Sequence, residues 1–367
     1  MQTAIADAGT NSVITSKQRI TNDVKFLAAN VHARRSRMVE GERLNALCRL
    51  KNLSDLFNTI FPASELKGVI DFQRLLVSEL IDELSGFRAY IPTSGVEILD
   101  WIMVQFQVEN LKVLMRACLT KTPLKETEIH LVSLPRELAL DNQKLATAES
   151  LKDFIRMLPR GILRENLTEA LETYHNYQRP FFFEAVLDRF YFQRLLEKIK
   201  RLSGSDRDTV RPMFCQEADI FHLMLVARGK FYYNLTPDML LPLHVAGTLI
   251  PYSFFRTMLN NPDLYTSASL VAKRVLISLF EHGPSSGSMI IDVSDLEGYA
   301  WSRFFRLANM AFRQNNMGLG AIMGYICLRR VEVANLIAIS EGIRTGMTAE
   351  TILRSLIPRT NVEEVYV

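Results

Sequence analysis

The chain has 367 residues, 48% of them hydrophobic, so it is long enough for two or three domains with separate cores. Its 43 Lys and Arg residues nearly balance 40 Asp and Glu residues, and a net charge of +3 excludes binding to nucleic acid or anionic lipid driven by overall charge alone. The four cysteines form no CxxC pair, which argues against metal ligation and a disulfide scaffold and favours a reducing, cytosolic compartment.

No segment of the sequence predicts membrane insertion. Residues 1–20 are predicted to be a tail without a secretory signal, because no basic segment is followed by an apolar core. The most apolar stretches, residues 240–259 and 318–339, are interrupted by prolines or charged residues. A spanning helix needs about 20 largely uncharged residues. We therefore predict no transmembrane segment.

Helical periodicity runs through nearly all of the chain. Apolar residues recur at spacings of three and four, as in the run from Leu187 to Ile199. Helix starts are predicted at three cap sequences: Ser54-Asp55, Thr236-Pro237 and Thr348-Ala349. Breaks are predicted near Pro135, Gly204, residues 247–251 and residues 283–287. Residues 288–293 are the best candidate for a strand, and we interpret them as a connector.

A short motif recurs three times: a polar residue, two spacers, an amide or imidazole residue, and leucine. Its polar pairs are Gln107 with Asn110, Asp219 with His222, and Glu332 with Asn335. The copies are 112 and 113 residues apart, and each is followed at one distance by Arg116, Arg228 or Glu341. Glu184 and Glu297, which open two other helices, are also 113 residues apart. One displacement shared by two landmarks predicts three repeats of about 110 residues.

This repeat gives the predicted architecture. We expect an all-α chain of three similar helical domains, which follow the tail at residues 21–135, 136–247 and 248–367. Each domain is large enough to bury a core of its own.

The repeated polar pairs have two interpretations. Residues three apart on a helix share a face, so each pair is predicted to lie side by side in an apolar helix. Buried polar groups are costly unless they are hydrogen-bonded, and such a pair would satisfy itself or fasten a neighbouring segment. The alternative is a proton relay or ligand site. Three copies of one active site would be unusual, so we interpret the pairs as a structural motif.

The sequence predicts no catalytic, cofactor-binding or metal-binding residues. It contains no GxxxxGK[ST] loop to cradle phosphates, no GxGxxG after a strand, no HExxH and no GxSxG. The glycine-rich residues 283–287 lack the lysine of a phosphate loop. The six histidines are solitary, which is untypical of a metal site.

Two other clusters leave alternatives open. The basic residues His32, Arg34, Arg35 and Arg37 could contact acidic partners, RNA or lipid headgroups, but they are typical of a solvated helix face. The aromatic residues at 181–183 and 190–192 favour a core, although aromatic residues are also enriched at interfaces.

The segment from Gln107 to Ala117 resembles the Asp-x-x-Asn-Leu-Lys-x-x-x-Arg-Ala signature of the C/d subunit family of V-type and archaeal-type ATPases. Residues 26–38 are similar to the family's opening helix, and residues 325–352 match its C-terminal signature best. The resemblance spans residues 26–357. The chain departs from the pattern at three positions, which are Phe26 in place of Tyr, Gln107 in place of an acid, and His222 in place of Asn.

The resemblance implies a funnel with pseudo-threefold symmetry and no catalytic residue or cofactor. It also implies a peripheral adaptor on the cytoplasmic face of an ion-pumping membrane, with the central shaft subunits and the membrane proteolipid ring as partners. Such an adaptor would couple ATP hydrolysis or synthesis to proton or sodium transport. Two other hypotheses stay open at this point: a helical scaffold or regulator that reuses the fold, and an enzyme with an unrecognised site.

Overall fold

The computed structural model describes residues 23–173, 180–276 and 293–359, and within these ranges the chain is helical and contains no strand. The prediction of an all-α fold is confirmed. Residues 283–287 and most of the expected connector at 288–293 lie outside the described residues, and Val293 begins a helix.

Eighteen helices are described. In chain order they are α1 (residues 23–35), α2 (Glu42–Cys48), α3 (Leu53–Ile60), α4 (Val69–Phe87), α5 (Thr93–Thr120), α6 (Leu124–Glu128), α7 (Asn142–Ala146), α8 (Leu151–Met157), α9 (Ile162–Thr173), α10 (Pro180–Lys200), α11 (Gly204–Met224), α12 (Pro237–Leu240), α13 (Tyr252–Asn260), α14 (Leu264–Ser269), α15 (Ala272–Val275), α16 (Val293–Gln314), α17 (Leu319–Arg344) and α18 (Ala349–Ser355). A π-helix, Leu225–Tyr232, continues α11, and short 3₁₀ turns lie at Arg88–Tyr90 and Leu241–Leu243.

Two of the three predicted helix starts are confirmed. Thr236 precedes α12 with Pro237 at its first position, and the Thr348 side chain accepts the backbone N–H of Thr351 at the start of α18. The prediction at Ser54-Asp55 was wrong by two residues. Asn52 is the cap there and accepts the backbone N–H of Asp55 at 2.8 Å, because an asparagine at this position caps as well as serine does.

Three pairs of long helices form the centre of the fold: α4 with α5, α10 with α11, and α16 with α17. The second helix of each pair packs against the first helix of the next pair, so α5 contacts α10, α11 contacts α16, and α17 contacts α4. The pairs therefore close into a cycle. The N-terminal helices α2 and α3 pack on α17, and α2 also contacts α18.

The pair α16 and α17 shows how the sequence produces this packing. Helix α16 buries a stripe of residues four apart, from Leu296 through Ala300 and Phe304. Helix α17 is buried on most of its circumference, as expected for a helix surrounded by others. At Gly324 the two backbones approach so closely that an added Cβ would lie 2.7 Å from the Phe312 nitrogen. Glycine is therefore required there.

The two clusters that the sequence left open are used inside the molecule. Phe182, Phe183 and Tyr191 are fully buried, which confirms the aromatic group as core. Most of the basic cluster contacts other parts of the fold: the His32 ring hydrogen-bonds the Asn316 carbonyl, in the turn between α16 and α17, at 2.8 Å. Two arginines of the cluster also contact other helices: Arg34 donates to Glu83 and Arg35 to Asn309. Arg37 is exposed, as expected for a solvated face, and Arg34 keeps 44% of its side chain exposed.

Candidate functional site: three clamps around a polar centre

The second residue of each polar pair holds a backbone segment 22 or 23 residues further along the chain. Asn110 donates to the Val132 carbonyl and accepts the Val132 N–H, both at 2.8 Å. Asn335 makes the same two bonds with Ile357, at 2.6 and 2.9 Å. His222 accepts the Val245 N–H on its Nε2 at 2.9 Å. We call the sites at Asn110, His222 and Asn335 the first, second and third clamps.

The first residue of each pair holds the backbone just before a short helix. Gln107 accepts the Leu140 N–H at 3.3 Å, two residues before α7. Asp219 accepts the N–H groups of Leu249 and Ile250 at 2.8 and 3.0 Å, beside the start of α13.

In the third clamp the first residue of the pair, Glu332, holds a backbone group near the N-terminal end of the described chain. Glu332 accepts the N–H of Val39 at 2.5 Å, and Val39 lies three residues before α2. Its second carboxylate oxygen accepts from Arg329 at 2.6 Å. The N-terminal segment thus occupies at the third clamp the position that later parts of the chain occupy at the other two.

All six clamp side chains are buried, with at most 5% of their surface exposed. The structure brings together the two members of each pair, most directly Asp219 and His222, whose Oδ1 and Nδ1 atoms are 3.3 Å apart. Among the described residues no hydrogen bond joins one pair to another. Their polar atoms are used mainly on backbone groups, so the arrangement favours fastening over proton transfer or ligand binding.

A polar centre that the sequence patterns did not identify joins the three long inner helices. Arg330 of α17 donates to both carboxylate oxygens of Glu217 on α11, at 2.5 and 3.2 Å, and also to Gln105 on α5. Each of these residues stands five positions before the second residue of its clamp. The three positions therefore share the steps of 112 and 113 residues, although their side chains differ.

The centre is largely buried and its charges are paired. The side chains of Arg330 and Glu217 are 11% and 1% exposed. Burial by itself lowers the pKa of Arg330, but the Glu217 carboxylate raises it well above its ordinary value, so the guanidinium stays charged. Burial also raises the pKa of the nearby Cys327 thiol to about 12. This cysteine is a protonated core residue and not a nucleophile.

A cavity of about 400 Å³ opens beside this centre, between the first and third helix pairs. Gln105, Glu109 and Arg330 form its polar part. Its apolar lining includes Val77, Phe106, Trp301, Phe304, Val333 and Ile337. A concave apolar surface with a few polar groups is typical of a site that receives another molecule or a protein side chain.

Near their C-terminal ends the inner helices α5, α11 and α17 each make one further polar contact with the first helix of the next pair. We call these three contacts joints. Arg116 of α5 pairs with Glu184 of α10 at 2.5 Å, and Arg228 of the π-helix pairs with Glu297 of α16 at the same distance. At the third joint Glu341 of α17 accepts from Gln73 of α4 at 2.8 Å. The acidic residue thus lies on the inner helix at the third joint and on the outer helix at the other two.

Other kinds of site have little support in the described ranges. No cluster of three or more His, Cys, Asp or Glu side chains there could hold a metal ion. None of the helices within those ranges combines the length and the apolar character needed to cross a bilayer.

Comparison with known proteins matches the chain to one family over most of its length. The family model for the ATP synthase (C/AC39) subunit matches residues 27–355. The chain is 23% identical to the C subunit of the A-type ATP synthase of Methanosphaera stadtmanae, over 90% of this chain and 86% of that protein. It is 22% identical to the C subunit of the A-type ATP synthase of Methanocaldococcus jannaschii, over 90% of this chain and 85% of the relative.

Proposed function

Because the chain belongs to the ATP synthase (C/AC39) subunit family, we propose that it is the non-catalytic adaptor that joins the shaft of a rotary ATPase to its membrane proteolipid ring. In this role it lies on the cytoplasmic face of the membrane. It passes torque between ATP hydrolysis or synthesis and the movement of protons or sodium ions.

The observation that carries this proposal is the closed cycle of helix pairs around the buried Arg330–Glu217–Gln105 contact. A part under torque needs a rigid body, and a closed cycle has no free end at which one pair can swing away. Moving one charge across 100 mV involves only about 2.3 kcal/mol, which is less than the cost of separating a buried ion pair.

The same contacts support a funnel with pseudo-threefold symmetry whose axis passes through the polar centre. They also support three domains at residues 21–135, 136–247 and 248–367, with one refinement. We assign residues 23–60 to the third domain, because α2 and α3 pack on α17 and Val39 completes the third clamp.

The cavity beside the axis is the surface we assign to the shaft. Its apolar lining would receive side chains of the shaft, and the total interface with all partners would exceed about 2,000 Å², as in permanent complexes. The half-buried Trp301 contacts the Phe304 ring edge-on in this lining, so it is the side chain through which to test the surface.

Affinity purification of the tagged full chain from native membranes tests the proposal. We expect the shaft subunits and the proteolipid ring to be recovered together. Trp301→Ala should reduce recovery of the shaft while the ring is retained, whereas Ile162→Ala, at an exposed apolar residue outside the cavity, should change neither. Recovery of the chain alone, or with unrelated proteins as expected for a scaffold or regulator, would contradict the proposal.

A further inference from the structure

The second clamp differs from the other two in that its holding group can be protonated. His222 stands where the other clamps have Asn110 and Asn335, and an amide does not titrate. A second histidine, His244, precedes the held residue Val245. The corresponding neighbours in the other clamps are apolar, Leu131 before Val132 and Leu356 before Ile357. Two imidazoles therefore replace an amide and a leucine at one joint.

The hydrogen bonds at His222 fit only the neutral ring. The Val245 N–H donates to Nε2, so this nitrogen carries no proton, and Nδ1 keeps its proton to donate toward Asp219. An imidazolium carries N–H groups on both nitrogens and accepts no hydrogen bond. Protonation at Nε2 would place two N–H groups against each other, and the Val245 N–H would lose its acceptor in a buried site.

His244 couples the joint to its surroundings. Its ring is stacked on that of His222, with centroids 4.7 Å apart and planes within 4°. It is half-buried, and Tyr252, which packs edge-on against it, is 51% exposed, so protons have a short route to the pair. The His244 Nε2 donates to the Ile250 carbonyl at 2.9 Å, within the same held segment. Two stacked imidazolium rings at this separation would repel each other.

Positive charges outnumber negative ones around the two rings. Within the described ranges Asp219 on α11 is the carboxylate that contacts the pair, and it already accepts two backbone N–H groups. The cations near this segment are Arg189 and Lys200 on α10, Arg211 on α11, Arg274 on α15, which donates to the Leu249 carbonyl, and Arg303 on α16, which faces Asp219. Burial, and the neighbouring His222, lower the pKa of His244 despite its bond to Ile250.

We propose that the second clamp is a proton-sensitive joint that holds residues 244–250 while His222 and His244 are neutral and releases them when the rings gain protons. A free imidazole, such as that of His244 once released, has an ordinary pKa near 6.5. The joint is therefore at full strength above about pH 6.5 and weakens as pH falls below it, because the released segment binds protons more readily than the held one. The inference does not rest on the proposed adaptor role.

Hydrogen exchange of the full chain, read by mass spectrometry on segments, tests this joint against the first clamp in the same molecule. After correction for intrinsic rates, the protection of residues 244–250 should be lost progressively between pH 7.5 and 5.5, because the released segment takes up protons that the held one excludes. The protection of residues 131–140 should stay constant. His222→Asn, which installs the amide of the other clamps, should reduce the dependence on pH, because only His244 is left to gain a proton.

If His222→Asn does not fold, two further measurements test the same joint. His244→Leu installs the leucine of the other clamps and should reduce the fall in protection, because one of the two charges is absent. In the unmodified chain, ¹³C-labelled histidines should show His244 gaining its proton over the range in which residues 244–250 lose protection. The proposal would be overturned if the protection of residues 244–250 did not fall relative to that of residues 131–140 down to pH 5.5. An unchanged pH dependence in His222→Asn would also overturn it.

Discussion

The first and third clamps hold equivalent targets by different routes along the chain. At the first clamp both held residues, Val132 and Leu140, follow α5 in sequence. At the third clamp Asn335 holds Ile357, but Glu332 holds Val39, which precedes it by 293 residues. Clamp geometry therefore does not require a short connection. Contacts alone must offset the larger entropy of closing the longer loop at the third clamp.

The largest loss of stability is expected at the polar centre, where α5 and α17, the helices that carry the first and third clamps, meet. Arg330→Met leaves the Glu217 carboxylate buried without its partner, and we expect the free energy of unfolding to fall by about 3–5 kcal/mol. Guanidinium unfolding monitored by circular dichroism measures the change. Adding Glu217→Leu should restore much of the loss, since an apolar replacement of the whole pair is far less costly. A loss below about 1 kcal/mol for Arg330→Met would show that the centre does not join the repeats.

Asn110 and Asn335 each hold a residue 22 positions later in the chain, so their substitution tests whether the first and third clamps contribute equally to stability. Asn110→Ala and Asn335→Ala each remove two hydrogen bonds and leave a backbone N–H and carbonyl unsatisfied. We expect each to lower the free energy of unfolding by about 2–3 kcal/mol, measured by the same denaturation. Values that differ by more than about 1 kcal/mol would mean that the two clamps are not energetically equivalent.

The first and third clamps differ in the segments held by Gln107 and Glu332, and substitution of these two residues tests that difference. Glu332→Ala removes a charge-assisted bond to Val39 and should cost about 2 kcal/mol, whereas Gln107→Ala removes one long neutral bond and should cost about 1 kcal/mol. Limited proteolysis separates their local effects. Cleavage within residues 36–52 should accelerate in Glu332→Ala only, and equal rates in both variants would contradict the docking of the N-terminal segment on the third clamp.

Reversing the charges of the third joint should have a small effect. Glu341→Arg with Gln73→Glu gives this joint the arrangement of Arg116 with Glu184. Glu341 is 40% exposed, and ion pairs at such sites are worth about 0–1 kcal/mol, so the midpoint of thermal unfolding should barely move. Glu341→Arg alone should be the less stable variant, because the new cation lies one helical turn from Arg344.

The sequence was informative wherever the repeats use similar side chains. The 112- and 113-residue steps identified all six clamp residues without any knowledge of their contacts. They also marked Arg116, Arg228 and Glu341, and two of these pair with Glu184 and Glu297, the second landmark. Recurrent polar residues in apolar helices must find partners, and this requirement makes them recognisable in sequence.

The sequence was silent where equivalent positions carry different chemistry. Gln105, Glu217 and Arg330 share the same steps, but nothing in their side chains suggests that they meet until the helices are packed. The docking of residues 23–60 on α17 was equally hidden, because helical periodicity identifies a buried face and not the element that covers it.

The capture of Val39 by Glu332 has a consequence for biosynthesis. The N-terminal helices leave the ribosome before α17, on which they pack, and Glu332 is made 293 residues after Val39. At about 5–20 residues per second this delay is roughly 15–60 s. During that time the apolar faces of α2 and α3 lack their final cover, while α4, α5, α10 and α11 can already assemble. The docking of α2 and α3 on α17 is therefore a late event in the synthesis of the chain.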